Sequence, residues 1–302
     1  MTEIALTLPA TLPRAAQPRR PTSTWGRLRA LLRLELADAV RSRWAWFAAV
    51  AYGLVFGAFV WLGLRESSVL GFTGLSRVVL NVSNAVVVAV PLVALVATCQ
   101  AVVRARTTGH LELVLTQPCY RGEWFAALVL SRLAVLAGPL LGLLLLALPV
   151  GLWLEPGDTA LMPLIGRAAA LAGSLVVCFA GIGLWLSALA RTVERAMVFG
   201  LLAWLASAAL HDFALLGLLL QFKVPPEVVF WLAAFNPIEA ARIAVLATID
   251  PDLTILGPVG FWVASALGPA ATFAVGTLWP LCVGLVGLML AARSVRRADA
   301  VL

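Results

Sequence analysis

The sequence is short of charge. Of its 302 residues only 12% are Asp, Glu, Lys or Arg, about half the share in an ordinary globular domain, while 62% are hydrophobic. So large an apolar excess has to face lipid rather than water. Lysine is almost missing: Lys223, the single one, follows Phe222 and not a glycine-rich loop. That excludes a Walker-type phosphate cradle and ATP hydrolysis by that route. The two histidines, His110 and His211, stand in different segments without an HExxH pattern, which argues against an intramembrane zinc protease. No serine has a histidine partner in a nucleophile setting. Cys99, Cys119, Cys178 and Cys282 are scattered with no CxxC pair, and methionines are as few. A soft-metal relay would lack clustered ligands, so the thiols read as buried structural residues. The sequence pI of about 10.2 does not imply nucleic acid, because the arginines fall in short clusters between apolar runs.

What is present is a series of long apolar runs. A spanning helix takes roughly 20 apolar residues, and six stretches reach that length: about 45–64, 79–103, 124–152, 164–190, 196–220 and 271–292. The third contains Pro139 and Pro149, which predict a kink or tilt. Ahead of them, residues 1–24 carry four prolines among Arg14, Arg19 and Arg20, lack the apolar core of a secretory signal, and read as a disordered cytoplasmic tail. In residues 25–44, Trp25, Leu28, Leu32, Leu36 and Val40 recur at helical spacing with arginines elsewhere around the helix. That pattern predicts a helix lying in the lipid headgroup layer. Residues 45–302 then form the membrane domain. The expected fold class is all-α: six transmembrane helices, an amphipathic interfacial helix, and outer-leaflet helices before the last span.

Orientation follows from the arginines. With the N-terminus inside, 17 of the 22 basic residues are cytoplasmic, leaving Arg65, Arg77, Arg167, Lys223 and Arg242 outside. The positive-inside rule therefore predicts a multi-pass membrane protein with both termini cytoplasmic. In the long external connection, Asn236, Pro237 and Glu239 match a helix N-cap, first and third position, predicting a helix to about Ile249 that stops at Asp250-Pro251. Residues 228–248 would have to cross for further spans to exist, despite Asn236, Pro237, Glu239 and Arg242.

Within the spans, Asn81 and Asn84 share helical spacing with Arg77, Pro91 and Thr98. Such a face either lines a polar path or bonds neighbouring helices, and the second is commoner. His211 and Asp212 lie in the outer half of the fifth span: an intramembrane ionisable pair, or an interfacial one if the span ends early. Gly53 with Gly57, and Gly138 with Gly142, are spaced for close helix contact.

Between spans two and three the chain reads RARTTGHLELVLTQPCYRGEW, from Arg104 to Trp124. Thr107 or Thr108 is expected to cap a short helix through Gly109, His110, Leu111 and Glu112, ending before Pro118. A second helix begins near Arg121 and leads into the third span. Here the sequence resembles the permease subunits of type-2 ABC transporters, and within them the subgroup serving nitrous-oxide-reductase maturation. The stretches carrying the resemblance are Gly71–Val103, Gly109–Trp124 and Phe235–Ile243, within an order of segments that spans residues 25–297. One departure stands out. Family members usually carry acidic residues just before the loop glycine and often threonine after it, whereas this chain has Arg104 and Arg106 before Gly109 and His110 after. Either the partner's groove is acidic in compensation or the coupling differs.

The resemblance implies a non-enzymatic membrane subunit that forms a homodimer and is driven through residues 104–123 by a separate ABC ATPase. ATP and magnesium would be bound by that partner, and no cofactor by this chain. The output would be export of a lipid, drug or peptide, or mechanical work on a periplasmic accessory protein. An ion-coupled secondary carrier working alone is the alternative. It would need midplane charges and commonly two related halves, and no internal repeat is visible.

Overall fold

The computed structural model describes residues 23–43, 46–54, 57–58, 87, 89–154, 161–250 and 252–297. Among them there is no strand, and the protein is an all-α polytopic membrane protein. Helix α1, Thr24–Arg41, starts at Ser23, whose hydroxyl accepts from the Gly26 N–H. Among the described residues, five helices are long and apolar enough to cross a membrane: α2 (Ala89–Thr107), α4 (Arg121–Leu154), α5 (Leu161–Leu189), α6 (Val193–Gln221) and α10 (Gly268–Arg297). They correspond to the last five expected spans. The first, 45–64, falls partly outside the described residues; within it, 46–54 and 57–58 are helical. Short α3, His110–Leu115, joins α2 to α4. Helix α4 is continuous through Pro139 and Pro149. Its 34 residues make it about 51 Å long, well beyond a hydrocarbon core of roughly 30 Å.

Between α6 and α10 lie α7 (Pro226–Phe235), α8 (Pro237–Ile249), a 3₁₀ turn (Thr254–Leu256) and α9 (Gly257–Ala266). The chain bends by 118° between α7 and α8, so this pair is either one broken span or a re-entrant loop.

The bundle is organised by α5 packed on α10. A Cβ on Gly284 would lie 2.5 Å from the Val177 carbonyl oxygen, and one on Gly287 would lie 2.7 Å from the Gly181 backbone. Only glycine admits helices this close, and in lipid such packing replaces the hydrophobic drive between helices. Gly53, Gly57, Gly138 and Gly142, the glycines singled out by spacing, have nothing within 4 Å of such a Cβ. Spacing alone identifies where helices are able to approach, not where they do.

The two ends of the bundle differ. One apolar cluster joins Leu31 of α1, Leu111 and Val114 of α3, Trp124 and Leu128 of α4, Leu184 of α5 and Val295 of α10. Helix α1 and the C-terminal end of α10 are therefore at the same, arginine-rich end. Phe230, Ala240, Leu253 and Val263 form a separate cluster under α7, α8 and α9. The cysteines divide: Cys99 and Cys178 are buried as expected, whereas Cys119 is half-buried and Cys282 exposed, on the same groove as Trp231 and Trp279.

Candidate coupling interface

At the arginine-rich end, α2 is interrupted at Cys99-Gln100, and the N–H groups that follow need partners. The Ser187 hydroxyl of α5 accepts from Val102 N–H at 3.0 Å and Val103 N–H at 3.1 Å. The end of α2 is stitched to α5 a second time by Arg106, whose guanidinium donates to the Ala188 carbonyl at 2.9 Å. Arg106 is thus a cap for α5 and not a free loop charge, unlike Arg104, which is exposed.

The turn into α3 is built differently from the expectation. Thr107 and Thr108 both donate their hydroxyls back to the Arg104 carbonyl, at 3.2 and 2.9 Å. They close α2 and do not cap α3. The position before α3 is Gly109, with φ of 72° and no side-chain cap. The reversal needs a left-handed residue, which glycine supplies without strain. Once that residue is in place, the threonine hydroxyls fall back on the last turn of α2, where the Arg104 carbonyl already accepts from Thr108 N–H at 3.0 Å and accepts from them as well.

Helix α3 presents two faces. Leu111 and Val114 are buried on Trp124, Phe125 and Leu31, whereas Leu113 is 70% exposed and Glu112 is exposed beside it. After α3, Tyr120 N–H donates to Glu123 Oε2 at 3.1 Å, so Glu123 starts α4 as half a capping box, with Arg121 as the first helical residue. Glu123 Oε1 also accepts from Arg27 at 2.9 Å, and the Arg27 guanidinium lies 5.8 Å from the Tyr120 ring centre. The hydrogen bond to Glu123 raises the Arg27 pKa above its ordinary value.

The centre of this assembly is Glu35, a residue that the sequence pattern hides. It is 2% exposed, and its Oε1 accepts from Trp124 Nε1 at 2.9 Å and lies 3.4 Å from His110 Nε2. Leu31, Glu35 and Ala39 make up the inward line of α1. The expected stripe divides instead: Leu28 and Leu32 flank that line, while Trp25 and Val40 are 74% and 53% exposed. A helix in the headgroup layer needs one apolar face for lipid and another for protein, and periodicity finds the first more readily.

The opposite end holds a second polar cluster. Asn236 Oδ1 accepts from Ile238 N–H at 3.1 Å and Pro237 is the first residue of α8, as expected. Glu239 does not return to this cap and faces Arg242 instead. The Asn236 N–H already donates to the Ala233 carbonyl, so no cap donor is left for it. A π-helical turn, Ala206–Leu210, interrupts α6, and the Asn236 amide donates to the Ser207 carbonyl there at 2.6 Å. Helix α7 ends with unpaired carbonyls, of which Leu232 accepts from His211 Nε2 at 3.1 Å and Phe235 from Trp279 Nε1 at 3.0 Å. Asp212 lies 3.4 Å from Arg242. His211 and Asp212 therefore open the stretch of α6 that follows the π-helical turn and tie it to the α7–α8 bend. Asn81 and Asn84 lie outside the described residues. Asn236→Ala removes a cap and orphans Ser207, and should cost about 1–3 kcal/mol. Thermal unfolding in detergent measures this, with Asn236→Asp, which retains the cap acceptor, expected to lose less.

The chain is similar to known proteins over most of its length. A family model described as ABC-2 family transporter protein matches residues 29–294. A protein of Stutzerimonas stutzeri named probable ABC transporter permease protein NosY is 26% identical over 267 residues, covering 86% of this chain and 94% of that protein. A Pseudomonas aeruginosa protein of the same name is 28% identical over 225 residues, covering 73% of this chain and 82% of its own length.

Proposed function

Because the chain belongs to the ABC-2 family of transporter proteins, we propose that it is a permease moved by a separate ATPase that grips α3. The orientation is the one the arginines favour: a bacterial inner membrane, with α1, α3 and both termini in the cytoplasm. ATP and magnesium are bound by the partner, and two copies of the chain form the working pair.

The supporting observation is the way α3 is held. Its Leu113 face is open, while Leu111, Val114 and His110 bind it to α1, α2 and α4. A push on the open face is therefore delivered to several helices together and not absorbed by a loose loop. The resemblance to the nitrous-oxide-reductase maturation subgroup, alongside relatives named probable ABC transporter permease protein NosY, extends the reading: this permease passes ATP-driven movement to an extracytoplasmic partner during maturation of a metalloenzyme. Helices α7 to α9 are the surface on which that partner rests, with Phe235, Ile255 and Phe261 exposed there.

Arg104 and Arg106 must be tested separately. Arg106→Glu would break the α5 cap and confuse folding with docking. Arg104→Glu leaves that cap intact and should reduce ATPase co-purification about ten-fold, for the loss of one complementary charge contact at an interface. Undiminished co-purification would exclude electrostatic docking at this position.

A further inference from the structure

Helices α1, α2 and α4 do not close fully on one another at the arginine-rich end. They enclose a cavity of about 760 Å³ whose walls include Arg41, Arg43, Arg104 and Arg132. Its acids are Glu35 and Asp38. Glu35 is occupied by Trp124 and His110, and Asp38 lies 3.4 Å from Arg132. Among the described lining residues, four guanidinium groups face two carboxylates, an excess of positive charge. Among the described residues Arg41, Arg43 and Arg104 make no ion pair. The Nε of Arg132 is buried with no hydrogen-bond partner.

The position of the cavity narrows the ligand. It lies where the candidate span α2 reaches its end at Thr107 and where α1 gives way to the apolar segment of 46–54, the level at which a span of this length meets the headgroups. Ala97, Ala101 and Leu128 supply apolar wall beside the arginines. Guanidinium groups present fixed forks of donors that match phosphate oxygens. Among the described residues the lining contains no Phe, Tyr or Trp on which a nucleotide base would stack.

We propose that this cavity holds the phosphate of an anionic phospholipid, seated between α1 and the helices from which α3 is hung. The inference rests on the membrane assignment and not on the ATPase reading, since its test contains no ATPase. The purified protein in mild detergent is titrated with dioleoylphosphatidylglycerol, dioleoylphosphatidylcholine or inorganic phosphate, and bound ligand is counted by native mass spectrometry. Phosphatidylglycerol should be retained in preference to phosphatidylcholine. Each arginine near an anionic headgroup is worth roughly five-fold in affinity, so Arg41→Gln with Arg43→Gln should weaken phosphatidylglycerol binding by at least about ten-fold. Arg191→Gln with Arg195→Gln, outside the cavity, should leave it unchanged. If the first double variant does not fold, Arg43→Gln alone should show the roughly five-fold loss. Equal retention of both lipids, or equal loss in both double variants, would overturn the proposal. So would binding of inorganic phosphate as tight as that of the lipid, which would assign the cavity to a soluble anion.

Discussion

Gly284→Ala should lower the stability of the protein by about 1–3 kcal/mol, although it adds a single methyl group. That methyl group would lie 2.5 Å from the Val177 carbonyl oxygen and 2.6 Å from the Cys178 Cα. Both are backbone atoms of α5, so no rotamer change relieves the overlap and the two helices have to separate. Separation costs more here than at a peripheral contact, because the same α5–α10 seam continues through Gly181 and Gly287. Gly138→Ala provides the control. A Cβ there meets nothing within 4 Å, so the change should be neutral or slightly stabilising through helix propensity. Thermal unfolding of both variants in the same detergent distinguishes them. Equal shifts would mean that the seam is not where the bundle is fastened.

Glu35→Ala should release α1 from α3. The substitution leaves the Trp124 indole N–H buried without its acceptor, at a cost of about 1–3 kcal/mol, and removes the group facing His110. Hydrogen exchange in α1 and α3 should accelerate together, while exchange in α7 and α8 stays as it was. With the ATPase bound, ATP turnover should lose its dependence on the permease while the two still co-purify, because Leu113 and Arg104 are unchanged. Glu35→Gln keeps an acceptor for the indole and should fall between the wild type and Glu35→Ala. Equal effects of the two variants would show that charge, and not the indole bond, holds the helices together.

The architecture was legible in the sequence because lipid imposes a length and a composition on each span. Five of the expected runs coincide with long apolar helices. The Asn236-Pro237 start of α8 and its end at Asp250 were legible too, because cap chemistry is local. The details of the site were less so. Thr107 and Thr108 are each suitable as caps, and only the left-handed turn at Gly109 decides that they serve the helix behind them. Arg106 and Arg104 are alike in sequence, yet one finds the open carbonyl at the end of α5 and the other does not. Glu35 looked like one of the polar residues of an amphipathic helix, because its partners Trp124 and His110 are distant in the chain. A glutamate four residues after Leu31 and four before Ala39, on one helical line, was the available signal. Leu113 was not among the expected loop residues; its signal was that of an apolar residue out of register with Leu111 and Val114.

The most direct test of the account places a photoreactive amino acid at Leu113 in the native membrane and identifies the adduct by mass spectrometry. An adduct with an ABC ATPase subunit is expected, and none with that subunit when the same group is placed at Phe261. No ATPase adduct at Leu113, or the same adduct from both positions, would contradict the assignment of α3 as the element through which this permease is driven.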